Sequence, residues 1–404
     1  MLDLAAVRSR FPALTDDWAL FDNAGGSVPL GAVVDAVSDY MRRRQVQLGA
    51  TYEHSATAAA QVAGGRAAMA ELVGADPDEV VFGSSSTANV RHLARALRPR
   101  LRPGDEIVVT DLDHETNIGA WRALAADGAR IRVWEFERDT LELTLAGLER
   151  ALTDRTRLVC FTHCSNLVGT VHDTAGLVRR IHAAGALACV DGVACAPHRR
   201  VDVRALDADF YFLSLYKVFG PHVGLLYGKR ERLREAAGQN HFFIREDEIP
   251  YKLEPGGVTH ELVAALPAIR DYLAELGTAA APAAPPGEPL DRGYAVIAAH
   301  ERTLVAPLLE FLRGRRGVRL LGRADAGPDR APTVSFVVDG RDSAAIPAAL
   351  DRERVAIRYG HFFAYRAVEA LGLLAGNGVV RVSMAHYNTP AEVARLIAAL
   401  DRVL

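Results

Sequence analysis

The sequence predicts an α/β fold, with a large domain on a mainly parallel seven-stranded sheet and a smaller C-terminal α/β domain. Three observations carry this. Short β-rich runs alternate with amphipathic stretches through the middle of the chain. The length, 404 residues, exceeds what one small core organises. An Ala/Pro-rich stretch, TAAAPAAPPGEPL at 278–290, separates the alternating part from the C-terminal third of the chain.

The strands are expected at Glu79–Phe82, Glu106–Thr110, Arg130–Trp134, Leu158–Phe161, Leu187–Val190, Phe210–Leu213 and Val223–Tyr227. Helical patterns such as Ile118–Ala126 and Thr174–Ala183 fall between most of them. Strand and helix in alternation imply crossover units and helices on both faces of the sheet. After the Ala/Pro stretch come a helix at Tyr294–Arg313, a strand at Thr333–Val338, a helix near Ser343–Leu350, strands at Val355–Arg358 and Val379–Ser383, and a helix at Pro390–Val403. The expected division is an N-terminal segment (1–20) packing with the small domain, a large site-bearing domain (21–277), a loop (278–291) and the small domain (292–404).

Composition excludes several classes. Half of the residues are hydrophobic and the formal net charge is -3, which argues against a nucleic-acid binder. No apolar run reaches the ~18 residues of a membrane span, and the opening MLDLAAVRSRFPAL does not read as a signal peptide. The four cysteines, Cys160, Cys164, Cys189 and Cys195, lie in or beside apolar strand-like runs without a CxxC pair. They read as reduced and structural, in a cytoplasmic protein without a metal site.

Sites on parallel sheets gather at the carboxyl ends of strands, and the polar clusters here fall there. Lys217 follows the apolar run Phe210–Leu213 and precedes a glycine-rich turn. That setting suits a lysine forming a Schiff base with pyridoxal phosphate, with Ser214 holding the phosphate. Asp191 ends another apolar run and is placed to pair with the pyridinium nitrogen. Ser84-Ser85-Ser86-Thr87, between a strand and a helix, reads as a phosphate cradle at a helix N-terminus, with Ser86 and Thr87 as ligands. His114 is placed to stack on the cofactor face and Asn166 to meet its phenolic oxygen. Arg381, inside an apolar strand, requires an anionic partner, and a substrate α-carboxylate is one. Singly, each also fits a structural role: a helix cap, a loop contact or an internal salt bridge.

Together these residues resemble the class V aminotransferase family of fold-type I pyridoxal-phosphate enzymes, in its cysteine desulfurase and selenocysteine lyase branch. The matching elements are Phe21-Asp22-Asn23-Ala24-Gly25-Gly26, Asp113-His114-Glu115-Thr116-Asn117, Thr162 to Thr170, Val190-Asp191-Gly192, Ser214 to Gly220 and Arg381 to Thr389. The resemblance implies Lys217, Asp191 and His114 as catalytic residues. It implies Ser86, Thr87, Asn166, Ser214, Tyr216 and Gly257 at the cofactor, and Arg381, Arg358, Asn23 and His361 at an amino-acid substrate. It also implies a homodimer with shared sites, in which Glu254-Pro255-Gly256-Gly257 reaches the partner's phosphate.

The chain departs from the branch at several points. Gly257 replaces a usual threonine, Ala194 a usual glutamine and Tyr216 a usual histidine. Above all, the desulfurase stretch Arg-x-Gly-His-His-Cys reads Arg358-Tyr359-Gly360-His361-Phe362-Phe363. Phe363 takes the place of the nucleophilic cysteine, and a persulfide needs a thiolate. The expected activity is therefore β-elimination from an S-substituted cysteine, a C–S lyase in a biosynthetic pathway. Transamination, epimerisation or decarboxylation-coupled oxidative deamination of a similar amino acid is the alternative, and a non-catalytic scaffold a third.

Overall fold

The computed structural model describes residues 2–14, 17–279 and 287–404. Its main sheet comprises β1 (Val80–Gly83), β2 (Glu106–Thr110), β3 (Arg130–Trp134), β4 (Thr156–Thr162), β5 (Leu187–Asp191), β6 (Phe210–Ser214) and β7 (Gly224–Gly228). The spatial order is β1-β7-β6-β5-β4-β2-β3. Strands β2 to β6 pair in parallel, and β7 alone runs antiparallel to both neighbours.

The period of two along each strand divides the interior into two cores. Val108, Val159, Phe161, Val190, Tyr211 and Leu213 face one. Ile107, Val109, Leu158, Cys160, Cys189, Phe210 and Phe212 face the other. Burial on both faces explains why β6 reads as an unbroken apolar run. The main-sheet side also contains α1 (Gly31–Arg43), α2 (Glu53–Val73), α3 (Ser86–Leu97), α4 (Thr116–Arg122), α5 (Thr174–Ala183) and α6 (Pro267–Ala279).

A second, antiparallel sheet is formed by β8 (Val318–Leu321), β9 (Thr333–Val338), β10 (Arg358–Gly360) and β11 (Val379–Ser383), ordered β10-β11-β9-β8. Helices α7 (Pro289–Arg313) and α8 (Pro390–Val403) close a third core on it, in which Leu304, Leu308 and Leu312 meet Phe336, Val380, Leu396 and Leu400. Ala19–Leu20 pairs in parallel with Val355–Ala356, and Arg8 binds Glu392 at 2.9 Å. The N-terminal segment thus contacts the elements of this second sheet.

Three expectations are corrected. The loop assigned to 278–291 is shorter, because α6 continues to Ala279 and α7 begins at Pro289; 280–286 lie outside the described residues. The strand assigned to Val355–Arg358 is two strands: Val355–Ala356 pairs with the N-terminal segment and Arg358–Gly360 with β11. β8 was not among the expected strands, because its alternating VRLL is half-buried and only four residues long.

Gly192 links the fold to the strand ends. Its N–H donates to Phe212 O at 2.9 Å, and a Cβ there would lie 2.0 Å from the Tyr211 ring. Tyr211 cannot yield, because it is fully buried and its hydroxyl meets His163 Nδ1 at 3.0 Å. Gly192→Ala is expected to lower stability by about 1–3 kcal/mol, the usual cost of overpacking. Urea unfolding of Gly192→Ala, Tyr211→Ala and the double variant checks this: the double should be less destabilised than the sum of the singles.

Candidate active site

The carboxyl ends of the parallel strands converge on one pocket. β4 ends at Thr162, β5 at Asp191, and β6 at Ser214, whose turn Leu215–Lys217 delivers the lysine. His114 follows β2, and α3 starts directly after the Ser84-Ser85 link from β1. Of the predicted site residues, Ser86, Thr87, His114, Asn166, Asp191, Ser214, Tyr216 and Lys217 line this pocket together. Thr116, Thr162 and Cys164 also line it; nothing in their sequence context distinguishes them from ordinary strand-end and helix-start residues.

Lys217 is the unusual member. It is 7% exposed, and its amine has no hydrogen bond or ion pair among the described residues. Burial, reinforced by the Arg381 charge, pulls its pKa down to about 8; Asp191 and Asp22 act in the opposite direction. Asp191 is 4% exposed and accepts only Val193 N–H among the described residues, at 2.9 Å on Oδ1, which leaves its second oxygen for another partner. Burial raises its pKa to about 6, with the Val193 bond and Lys217 opposing. His114 is held neutral, down to about 3, by burial and then by the charges of Lys217 and Arg381. Its Nδ1 accepts the Thr116 N–H at 3.1 Å.

The start of α3 forms a polar rim. Ser85 caps it by accepting the Ala88 N–H at 3.1 Å. The N–H groups of Ser86 and Thr87 precede the intrahelical ladder, so they remain available for an anion. Ser86 and Ser214 hydroxyls meet at 2.7 Å, and Thr87 meets Thr116 at 2.8 Å. Strand β7 passes so close that a Cβ on Gly224 would lie 2.5 Å from Ser86 N. Glycine is therefore required behind this rim. Tyr216 stacks on His222 with centroids 4.6 Å apart.

A family model described as Aminotransferase class-V matches residues 19–284 and 290–396. The chain belongs to the class-V aminotransferase family. Its membership makes it a pyridoxal-phosphate-dependent enzyme. It is 39% identical over 407 residues to the aminotransferase-like protein FGM3 of Gibberella zeae, covering 98% of each chain. It is 35% identical over 416 residues to the cysteine desulfurase-like protein ustD of Aspergillus flavus, covering 100% of this chain and 91% of that one. Among solved structures, the apo cysteine desulfurase of Thermococcus onnurineus matches with a TM-score of 0.89 at 26% identity, over 100% of this chain and 98% of that one.

The remaining predicted residues of this class-V enzyme lie around the pocket or away from it. Arg381 is 2% exposed and already paired: Nη2 donates to Asp22 Oδ1 and Nη1 to Asn166 O, both at 3.0 Å. The other Asp22 oxygen accepts from Arg358 at 3.2 Å, and the Phe362 ring lies 3.7 Å from the Arg381 guanidinium. One carboxylate thus sits between two arginines. Asn23, expected at the substrate, is bonded within the protein. Its Nδ2 donates to Leu20 O, Ser383 O and Asn388 Oδ1, each at 3.1 Å, and its Oδ1 accepts the Tyr387 hydroxyl. His361 stands outside the pocket, its Nδ1 accepting Phe363 N–H at 3.1 Å. Gly257 is also outside it, with φ +83°, on a segment anchored by Glu254, which binds Arg66 at 2.8 Å and Phe82 N at 2.7 Å.

The loop that carries Phe363 docks on the pocket mouth. Asn166 Nδ2 donates to Phe362 O and Glu115 N–H to Phe363 O, both at 2.8 Å. The Phe363 ring lies 5.0 Å from that of His114.

A lowered pKa makes the Lys217 amine nucleophilic near neutrality. Acylation of the cofactor-free protein over about pH 6 to 10, mapped by peptide mass, should label Lys217 with a midpoint of about 8. An unperturbed lysine would show a midpoint of about 10.4. A Lys217 midpoint at that value contradicts the assignment.

Proposed function

We propose that the protein is a pyridoxal-phosphate-dependent lyase that cleaves the C–S bond of a cysteine-derived amino acid by β-elimination. The observation that carries this reading is the pairing of a buried lysine, without hydrogen bond or ion pair among the described residues, with a docked loop that has Phe363 where a desulfurase-like site needs a thiol. The donor set fits the cofactor. Ser86, Thr87, Ser214 and the free N–H groups of α3 would hold its phosphate, and Asp191 its ring nitrogen. His114 would cover one ring face, with Asn166 and Tyr216 at the edges and Lys217 at the carbonyl. When bound, the cofactor supplies an electron sink for the pair released at Cα.

Each residue then has a task set by its environment. Lys217, titrating at about 8, takes the Cα proton as a base of suitable strength. Arg381 and Arg358 orient the substrate carboxylate, their surplus positive charge over Asp22 matching a single anion. Neutral His114 adds no charge beside the amine. Phe362 and Phe363 form an apolar mouth toward which the leaving sulfur is directed.

Sulfur transfer onto the protein lacks an acceptor. All four cysteines are buried. The Cys164 thiol, which lines the pocket, is pushed well above its usual range by burial and the field of Cys195, and burial pushes Cys195 to about 12. Neither forms the thiolate a persulfide requires.

The protein is expected to release thiol and pyruvate from an S-alkyl cysteine and little sulfide from cysteine, with Lys217→Ala inactive. Colorimetric thiol, pyruvate and sulfide assays of the cofactor-loaded protein decide the matter, and absence of both thiol and pyruvate sinks the lyase reading.

We further propose a homodimer, in which the Glu254–Gly257 segment serves the partner's site. Phe242 and Phe243 beside that segment are 99% and 65% exposed, which suits an interface. Sedimentation should give twice the 43.6 kDa chain mass; a monomer at micromolar concentration contradicts it.

A further inference from the structure

The pocket opens into a larger cleft. The two share Thr87, His114, Thr116 and Tyr216, and Phe363 stands on the cleft side. The inner pocket offers about 80 Å³ and the cleft about 830 Å³. A free small amino acid would leave nearly all of that volume to water.

The cleft is also charged in one sense. Arg91 and Arg95 line it from α3 and Arg98 from its C-cap, at spacings of four and three that put them on one face. Its two lining acids are already neutralised: Asp127 pairs with Arg98 at 2.5 Å and Glu115 with Arg366 at 3.2 Å. Arg91 and Arg95 are exposed and have no hydrogen bond or ion pair among the described residues. At 1.5 Å per residue they lie about 6 and 12 Å along the helix from Thr87. Ala120, Ala123 and Leu124 give the cleft an apolar wall. An alkyl chain leaving the pocket past Phe363 therefore runs along an apolar surface within reach of two unpaired guanidiniums.

We infer that this cleft is a second binding region of the active site, taking a carboxylate or phosphate on the far end of a long sulfur-linked substituent. The inference rests on the C–S lyase reading for the attachment point of that substituent. Guanidinium groups suit both anions, because their fork of donors matches two oxygens at once.

The test uses the cofactor-loaded protein and three series of S-substituted cysteines with about two to eight methylenes: neutral alkyl, ω-carboxyalkyl and ω-phosphonoalkyl. Calorimetric binding is measured at low and high salt beside thiol release. The longer acidic compounds should bind about tenfold tighter than neutral ones of equal length, the size of one charge-assisted hydrogen bond. The advantage should shrink with salt and disappear in Arg91→Ala/Arg95→Ala, whose fold is checked by circular dichroism. Equal binding of acidic and neutral compounds at every length overturns the inference, as does a preference that survives in the double variant. An acid preference without thiol release leaves the cleft standing and sinks the lyase reading. Thiol release with no acid preference does the reverse. Comparison of the carboxylate and phosphonate series identifies the anion.

Discussion

Burial of an amine dominates this architecture. Taking an ammonium out of water costs several kcal/mol unless opposite charge or hydrogen bonds offset it. Among the described residues Lys217 has no hydrogen bond to offset that cost, and Arg381 adds to it. The opposing fields of Asp191 and Asp22 leave the pKa at about 8, so about a tenth of the amine is neutral at pH 7, far more than for a lysine in water. Such a residue persists only where surrounding structure gives it no alternative. Here β6 is buried on both faces, and the turn after it is closed by Val218 N–H to Leu215 O at 2.9 Å. The parallel sheet then adds Asp191, because its strand is the neighbour of β6.

A second carboxyl steadies the first. Asp113 is 1% exposed and accepts from Thr110 Oγ1 at 2.6 Å, Asn117 Nδ2 at 2.7 Å and Thr162 N–H at 3.1 Å. It thereby ties the end of β2 to α4 and to the end of β4. Burial, helped by the field of Asp191, outweighs these donors and raises its pKa to about 8. Two buried carboxyls in each other's field do not readily ionise together. Of the two, Asp191, at about 6, gives up its proton more readily, and it is the one that lines the pocket with the lysine.

Sequence made the site's strand ends legible because β2, β4, β5 and β6 each end an apolar run with a polar residue. β2, β3 and β9 have the expected bounds, as do α5 and α8. Asp191, Ser214 and Lys217 follow such runs, and the sheet brings them to one pocket. Helix α2 carried no such signal: its sequence, EHSATAAAQVAGGRAAMAELV, lacks a distinct apolar stripe. Long-range pairings were invisible for a different reason. Arg381 and Asp22 are 359 residues apart, and Asn166 and Phe362 are 196 apart. The need of Arg381 for an anion was readable from its apolar surroundings; that an internal carboxylate already half-meets it was not. The same holds for Asn23, whose amide partners lie largely near the chain's other end.

The loop at the mouth is fixed by several contacts at once. Phe362 and Phe363 adopt φ of +51° and +59°, a region that costs a residue with a bulky side chain about 1–3 kcal/mol. Such backbone is kept only where other contacts over-determine it. Here Asn166 holds one carbonyl, Glu115 N–H the next, and His361 Nδ1 the Phe363 amide. The Arg381 guanidinium lies under Phe362 and the His114 ring beside Phe363. A residue that relays sulfur must reach the substrate and then leave with its cargo, which calls for a loop free to move. This loop is held at both aromatic residues, and one tether, Asn166, also lines the pocket. Its geometry suits a fixed aperture that shapes passage between the pocket and the arginine-lined cleft.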